Sequence, residues 1–354
     1  MLRLENKSLS SRRKDLLFIV LAVLFAAVFF ASFLLGRYSV SPFTTIKILG
    51  SEFIRCISFG ALSPEGGWTG AEYSVVINIR LPRIVIAALV GAALSTAGAS
   101  YQGIFRNPMV SPDLLGASTG AGFGAALAIL LSFGYFGITV SAFLFGLLAV
   151  MLAYLVSKMS RLNSTLSMVL AGVMIGSLFS SLTSFIKYVA DTEEQLPAIT
   201  YWLMGSLSSS KKQDMLFAFV PIVIGLVPLL LLRWRLNLLT ISEAEARSLG
   251  INTKRLRLVV IICATLVTSA SVAVSGMIGW VGLVIPHFSR MIFGYDYKRV
   301  IPASILLGST FLMIVDNIAR LISTAEIPLG ILTSFVGAPV FIYLILEGGA
   351  AREH

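Results

Sequence analysis

The sequence predicts an all-α, polytopic membrane protein with about ten transmembrane helices, and three observations carry that expectation. Hydrophobic residues fill 57% of the 354 positions and charged residues only 12%, whereas an ordinary soluble domain is about a quarter charged. The hydrophobic residues gather into runs of about 20, the length at which a helix crosses a hydrocarbon core of roughly 30 Å. The few charges fall almost entirely between those runs.

The first run, 16–35, follows Arg12, Arg13 and Lys14 as the n-region of a signal peptide would. Its apolar stretch exceeds the 7–15 residues typical of a signal h-region, so a retained first helix is expected. A long outer loop, 36–83, leads to the second run, 84–105. The third, fourth and fifth runs occupy 113–133, 136–156 and 165–190, and the sixth 215–232. Three of these carry small residues at intervals of four: Gly91, Ser95, Ala99 and Gly103; Gly116, Gly120 and Gly124; and Gly172, Gly176, Ser180 and Ser184. Lipid supplies no hydrophobic drive for helix association, and small faces let backbones approach closely instead. The stripes therefore predict a compact bundle and say nothing of a substrate.

The seventh to tenth runs are 258–275, 277–293, 300–322 and 327–347. Gly276, Gly279 and Gly282 crowd the opening of the eighth, with Pro286 after them. Pro328 and Gly330 open the tenth, with Gly337 and Pro339 further in. Glycine and proline at membrane depth are tolerated where protein or a watery cavity satisfies the freed backbone groups. Two readings stay open on this pattern: ordinary kinks, or discontinuous helices beside a translocation path.

The formal charge of +10 is distributed as topology. With the N-terminus in the cytoplasm and ten crossings, 18 of the 27 Lys and Arg fall on the inner side and nine on the outer, the bias of the positive-inside rule. The basic balance is not a nucleic-acid footprint. No polar stretch is long enough to fold separately, so residues 1–354 form a single transmembrane domain. It has a cytoplasmic tail 1–15, the outer loop 36–83, a cytoplasmic loop 233–257 and both termini in the cytoplasm.

Several chemistries are excluded. Cys56 and Cys263 form no metal or redox spacing, and His287 and His354 are too few for an imidazole metal site. Asp316 and Arg320 lie i,i+4 on the ninth run and can pair, leaving almost no ionisable residue for proton or ion coupling. A membrane enzyme needs clustered His, Asp, Glu or Ser at one face, and no such cluster is evident. The chain contains no phosphate-binding G-x-x-x-x-G-K-[ST] loop, so ATP hydrolysis, if it drives transport, belongs to another subunit.

The loop 233–257 carries one defined element. Ser242 and Glu245 form a capping box, Glu243, Ala244, Ala246, Arg247 and Leu249 continue a short helix, and Gly250 stands as its C′ terminator. Such definition suits a contact that passes force to a partner; an interfacial helix holding the loop down is the alternative.

The motifs together resemble the FecCD-type permeases of ABC importers. Arg80, Pro82 and Arg83 lead into the glycine-rich second run, then Gln102, Arg106-Asn107-Pro108 and Leu115-Gly116. Later come Gly276, Gly279, Gly282, Pro286, His287 and Arg290, then Asp316 with Arg320, Glu326-Ile327-Pro328 and Gly337-Ala338-Pro339. The resemblance implies a cobalamin-permease-like fold and a transport subunit rather than an enzyme, with no cofactor of its own. It further implies a second permease subunit (homodimer or heterodimer), two ATPase subunits holding ATP and Mg2+, an extracytoplasmic binding protein, and a bacterial or archaeal plasma membrane. By the same resemblance, Ser242 to Gly250 would be the coupling helix that seats on the ATPase. Arg80, Arg83 and Arg320 would dock the binding protein. Gln102, Gly276, Gly279, Gly282, Pro328 and Gly330 would line the path. The cargo implied is a metal chelate, a ferric siderophore first, with haem, cobalamin or an oxyanion such as molybdate as alternatives. A stand-alone secondary carrier is the rival outside this family.

Overall fold

A computed structural model describes residues 11–58, 66–160, 164–240, 245–246, 252–323 and 325–350. Among these described residues the fold is 84% helical without strands, in 13 helices. In chain order these are α1 (Ser11–Leu34), α2 (Pro42–Ile57), α3 (Gly70–Phe105), α4 (Ala117–Leu130), α5 (Tyr135–Met159), α6 (Ser164–Val189) and α7 (Gln195–Met204). They continue with α8 (Lys212–Leu231), α9 (Arg233–Thr240), α10 (Thr253–Ser275), α11 (Val281–Phe293), α12 (Tyr297–Ile322) and α13 (Leu329–Ala350).

Seven of them, α1, α3, α5, α6, α8, α10 and α12, are long and apolar enough to cross a membrane. The remaining three expected runs appear as the shorter apolar helices α4, α11 and α13. They are short because the chain before each is unwound: a 3₁₀ turn at Pro112–Leu115 precedes α4, and non-helical stretches precede α11 and α13. In the most hydrophobic stretch of each helix, 78% of α10 and 61% of α3 are buried, against 17% of α1. α3 and α10 are therefore central and α1 peripheral.

The segment 36–83, expected as an outer loop, is largely helical where it is described. It holds α2 and the first turns of α3. α3 starts at a complete capping box in which Thr69 N donates to Glu72 Oε2 at 2.7 Å and Glu72 N to Thr69 Oγ1 at 3.2 Å. Its second stretch, Ser74–Arg80, is a π-helical turn. Ile48 of α2 and Val76 and Ile77 of α3 are fully buried; that burial, invisible in the average hydropathy of the segment, makes these residues helical.

Small residues set how closely the bundle closes. A Cβ at Gly98 of α3 would lie 1.8 Å from the carbonyl oxygen of Gly282 in α11, and one at Gly91 would lie 2.2 Å from that of Gly308 in α12. Beside the second crossing, Ser95 Oγ donates to Ser304 O at 2.7 Å. Gly120 and Gly124 face Phe145 and Ser141 of α5 in the same way, and Gly172 of α6 faces Leu114. The third stripe is used only in part, because Ser180 and Ser184 are exposed.

A Gly98→Val substitution is expected to prop α3 off α11, giving protein that inserts but elutes aggregated in detergent. Gly50→Ala, where an added Cβ meets nothing within 4 Å, is expected to elute as the wild type. A monodisperse Gly98→Val variant of wild-type thermal stability would refute the crossing.

Candidate functional site

Three chain breaks meet at the end of the bundle opposite α9. They are the end of α7 at Gly205, the stretch 276–280 between α10 and α11, and the turn before α13. Backbone bonds tie them together: Ser206 N donates to Ser275 O and Leu329 N to Gly205 O, each at 2.8 Å. Gly205 (φ 74°) and Gly276 (φ 67°) take left-handed backbone that a side chain disfavours. Their close approach also forbids one: a Cβ at Gly276 would lie 2.4 Å from Trp202 O, and one at Gly330 would lie 2.5 Å from Met204 O. Trp280 also has positive φ, 69°, a strained conformation for a bulky residue. Its ring is edge-on to Phe341 at 5.9 Å between centroids. A Cβ at Gly337 would lie 2.5 Å from Trp280 Cβ, so only glycine there leaves room for this seat.

Two cavities flank the junction. The larger, about 530 Å3, is lined by Asp113, Ser118, Met204, Met277, Gly279, Gly330, Ser334 and Phe335 among others. The smaller, about 350 Å3, includes Tyr135, Thr139, Tyr201, Trp202, Ser206 and Gly276. Of the expected path residues, Gly279 and Gly330 line the first cavity and Gly276 the second. Two expected path residues do not line either. Gln102 is 3% exposed and its Nε2 donates to Val110 O at 3.1 Å, while Gly282 is pressed against Pro112 and Leu94. Both are packing residues because α3 and α11 cross at this point. Pro328 stands at the junction as the cap of α13, its carbonyl accepting from Ile331 N at 3.2 Å, and is not among the lining residues.

The sequence pattern did not single out Asp113 and Ser118. Ser118 Oγ donates to the Asp113 carboxylate, which faces the larger cavity. A signal was present: Asp113 is the only Asp or Glu between Glu72 and Asp191.

The three expected docking arginines are buried, which corrects their assignment to the surface. Arg80 is 3% exposed and donates to the carbonyls of Phe33 and Tyr38 at the end of α1. Arg83 is 6% exposed. Its Nε and Nη2 fork onto Asp316 at 2.9 and 2.8 Å, and its Nη1 reaches Glu326 at 2.9 Å. Asp316 therefore pairs chiefly with Arg83, not with its i,i+4 neighbour. Arg320 Nε stands 3.7 Å from Asp316, and its Nη2 donates to Ser32 O at 2.9 Å. A guanidinium in such a cage is held by groups of its own chain.

Of the expected coupling residues, Glu245 and Ala246 are helical, the first exposed and the second fully buried. Ser242, Glu243, Ala244, Arg247, Leu249 and Gly250 lie outside the described residues.

The model of the FecCD transport family matches residues 23–347. The chain belongs to that family. The molybdate import system permease protein MolB of Haemophilus influenzae is 41% identical over 318 residues, spanning 89% of this chain and 91% of MolB. A protein of Helicobacter pylori named as a probable iron chelatin transport system permease is 44% identical over 273 residues, 77% of this chain and 82% of its own. In three dimensions the chain matches a transporter assigned to the metal-chelate ABC type, in an inward-facing conformation. The TM-score is 0.82 at 39% identity, covering 94% of this chain and 99% of the other. This FecCD protein is accordingly a multi-pass membrane permease of an ABC importer, a transport subunit rather than an enzyme. ABC importer permeases work with ATPase subunits, where hydrolysis takes place, and with a binding protein.

Removing one partner of a buried ion pair costs roughly 3–5 kcal/mol, because the other charge is left unpaired. Arg83→Ala is thus expected to lower the thermal unfolding midpoint in detergent sharply, and Arg83→Met with Asp316→Asn to recover much of the loss. Equal midpoints for the single and double variants would show that the pair does not carry the stability of this end.

Proposed function

We propose that this FecCD permease is one of two permease subunits around a central passage that carries a metal complex intact, a ferric siderophore first, delivered by a binding protein and driven by two ATPase subunits. The observation that carries the reading is the 530 Å3 cavity at the junction of broken helices. Its walls offer weakly polar and thioether groups, suited to a cargo shielded by its own ligands. Among the described residues no cluster of His, Cys, Asp and Glu could hold a bare metal ion. The chain itself needs no cofactor in this scheme, ATP and Mg2+ being held by the partner.

The second subunit is supported by α6. Ser177, Ser180, Ser181 and Ser184 form one exposed face of this spanning helix. Hydroxyls on a spanning helix belong against protein or a watery passage rather than lipid, and a second permease copy beside this face provides both. A homodimer is the simplest form of that pairing. The charge bias favours both termini in the cytoplasm, with the junction then toward the outer side of a bacterial or archaeal plasma membrane. Ser242 to Gly250, within the 233–257 linker, would meet the ATPase.

A second reading for the cargo is an oxyanion, favoured by the likeness to a molybdate permease. The cavity lining argues against it: its one ionisable group is Asp113, tied to Ser118, and it offers no Lys or Arg to bind an oxyanion. Vesicles containing the permease, an ATPase and a binding protein are expected to take up ferric siderophore only when all three and ATP are present. Faster ATP-driven uptake of molybdate than of any chelate would replace the first reading with the second. In the same vesicles, Ser334→Cys is expected to react with a membrane-impermeant maleimide and Gln102→Cys to stay unreactive; the reverse pattern would move the passage away from the cavity.

A further inference from the structure

At the face of the linker, α9 is held to the bundle at two points that the importer reading has not used. Asn237 uses both ends of its amide. Its Oδ1 accepts from Tyr297 N at 2.9 Å, and its Nδ2 donates to Asp296 Oδ1 at 2.7 Å. Asp296 in turn caps α12 by accepting from Lys298 N at 2.9 Å. One residue of α9 thus satisfies an otherwise orphaned N–H of the first turn of α12 and grips its capping carboxylate. The second point is Arg106, in left-handed backbone just after α3, whose Nε donates to Leu239 O at 2.9 Å. Leu236 and Leu239 are buried beneath these bonds. Tyr297, packed against Gly103 of α3, closes the cluster.

α3 and α12 are also the helices joined at Gly91 and Gly308 and, further from α9, by the Arg83–Asp316 ion pair. They form one stiff unit across the bundle, and α9 is fastened to its near end. We infer that the Asn237–Asp296 clasp transmits movement of the linker to the α3–α12 unit, making Asn237 a positioning residue for the coupling of ATP hydrolysis to transport. This rests on the importer reading and adds to it the point at which force enters the membrane bundle.

The test uses the whole importer in vesicles and reads cargo taken up per ATP hydrolysed, together with retention of the ATPase on the purified permease. Asn237→Asp sets two carboxylates against each other. It is expected to keep ATPase binding and hydrolysis while cargo per ATP falls roughly tenfold, the factor that about 1.4 kcal/mol, one charge-assisted hydrogen bond, produces. Adding Asp296→Asn rebuilds the pair with donor and acceptor exchanged and is expected to restore the ratio. Asn237→Ala, which removes the clasp without adding charge, serves should Asn237→Asp fail to accumulate, and should also uncouple. A wild-type ratio in Asn237→Ala or Asn237→Asp, or no recovery in the exchanged pair, overturns the inference. Absence of ATP-dependent uptake by the wild-type importer would instead overturn the importer reading itself.

Discussion

A backbone amide inside a bilayer has no water to turn to, and that constraint governs this fold. It makes most described residues helical, and it decides where the helices are allowed to break. The breaks at Gly205, 276–280 and the start of α13 occur together, because each supplies the bonds the others lack: Ser206 N to Ser275 O and Leu329 N to Gly205 O. The glycines serve this pairing directly, since Gly276 and Gly330 admit neighbouring carbonyls where a Cβ would collide. An irregular, partly polar wall beside a cavity is the consequence.

The second constraint is charge. Arg80, Arg83 and Arg320 stand together at one end of the bundle, and all three are turned inward. Asp316 and Glu326 neutralise Arg83, while the carbonyls at the end of α1 receive Arg80 and Arg320. The arrangement fastens α1, α3, α12 and the approach to α13 to each other. Desolvation of these charges is expensive and is offset only by the bidentate geometry and the extra hydrogen bonds, so each acceptor in the cluster matters more than a surface partner would.

Long elements were legible in the sequence because a spanning helix announces itself through length and apolar content together. Each of the ten expected runs has a helix, with ends displaced chiefly where the chain unwinds. α2 and the start of α3 were not legible: their residues are of mixed composition, and burial of Ile48, Val76 and Ile77 against neighbours makes them helical. The partner of Asp316 was hidden for a similar reason. Spacing along one helix offers Arg320, whereas Arg83, 233 residues away, has the better geometry, and only the tertiary fold brings it there. Gly276, Gly279 and Gly330 were legible because they crowd, with proline, at the openings of apolar runs, where glycine weakens a helix and so marks a break. Gln102 and Gly282 were misassigned because a small or polar residue at a helix crossing looks the same in sequence as one beside a cavity.

The distribution of stiffness across the bundle bears on how it could move. α3 and α12 are joined near both ends and at a glycine crossing between them, whereas α7, 276–280 and the start of α13 are held by isolated backbone bonds around glycines. Rearrangement is therefore cheapest at the junction, where few bonds change, and dearest between α3 and α12, where an ion pair would be exposed. The strained backbone at Trp280, seated against Gly337 and Phe341, sits on the soft side of that divide. Strain held by a small number of contacts is released by a small displacement. A rigid pair of helices pushing on a strained, glycine-hinged junction would alter the cavity walls without disturbing the core.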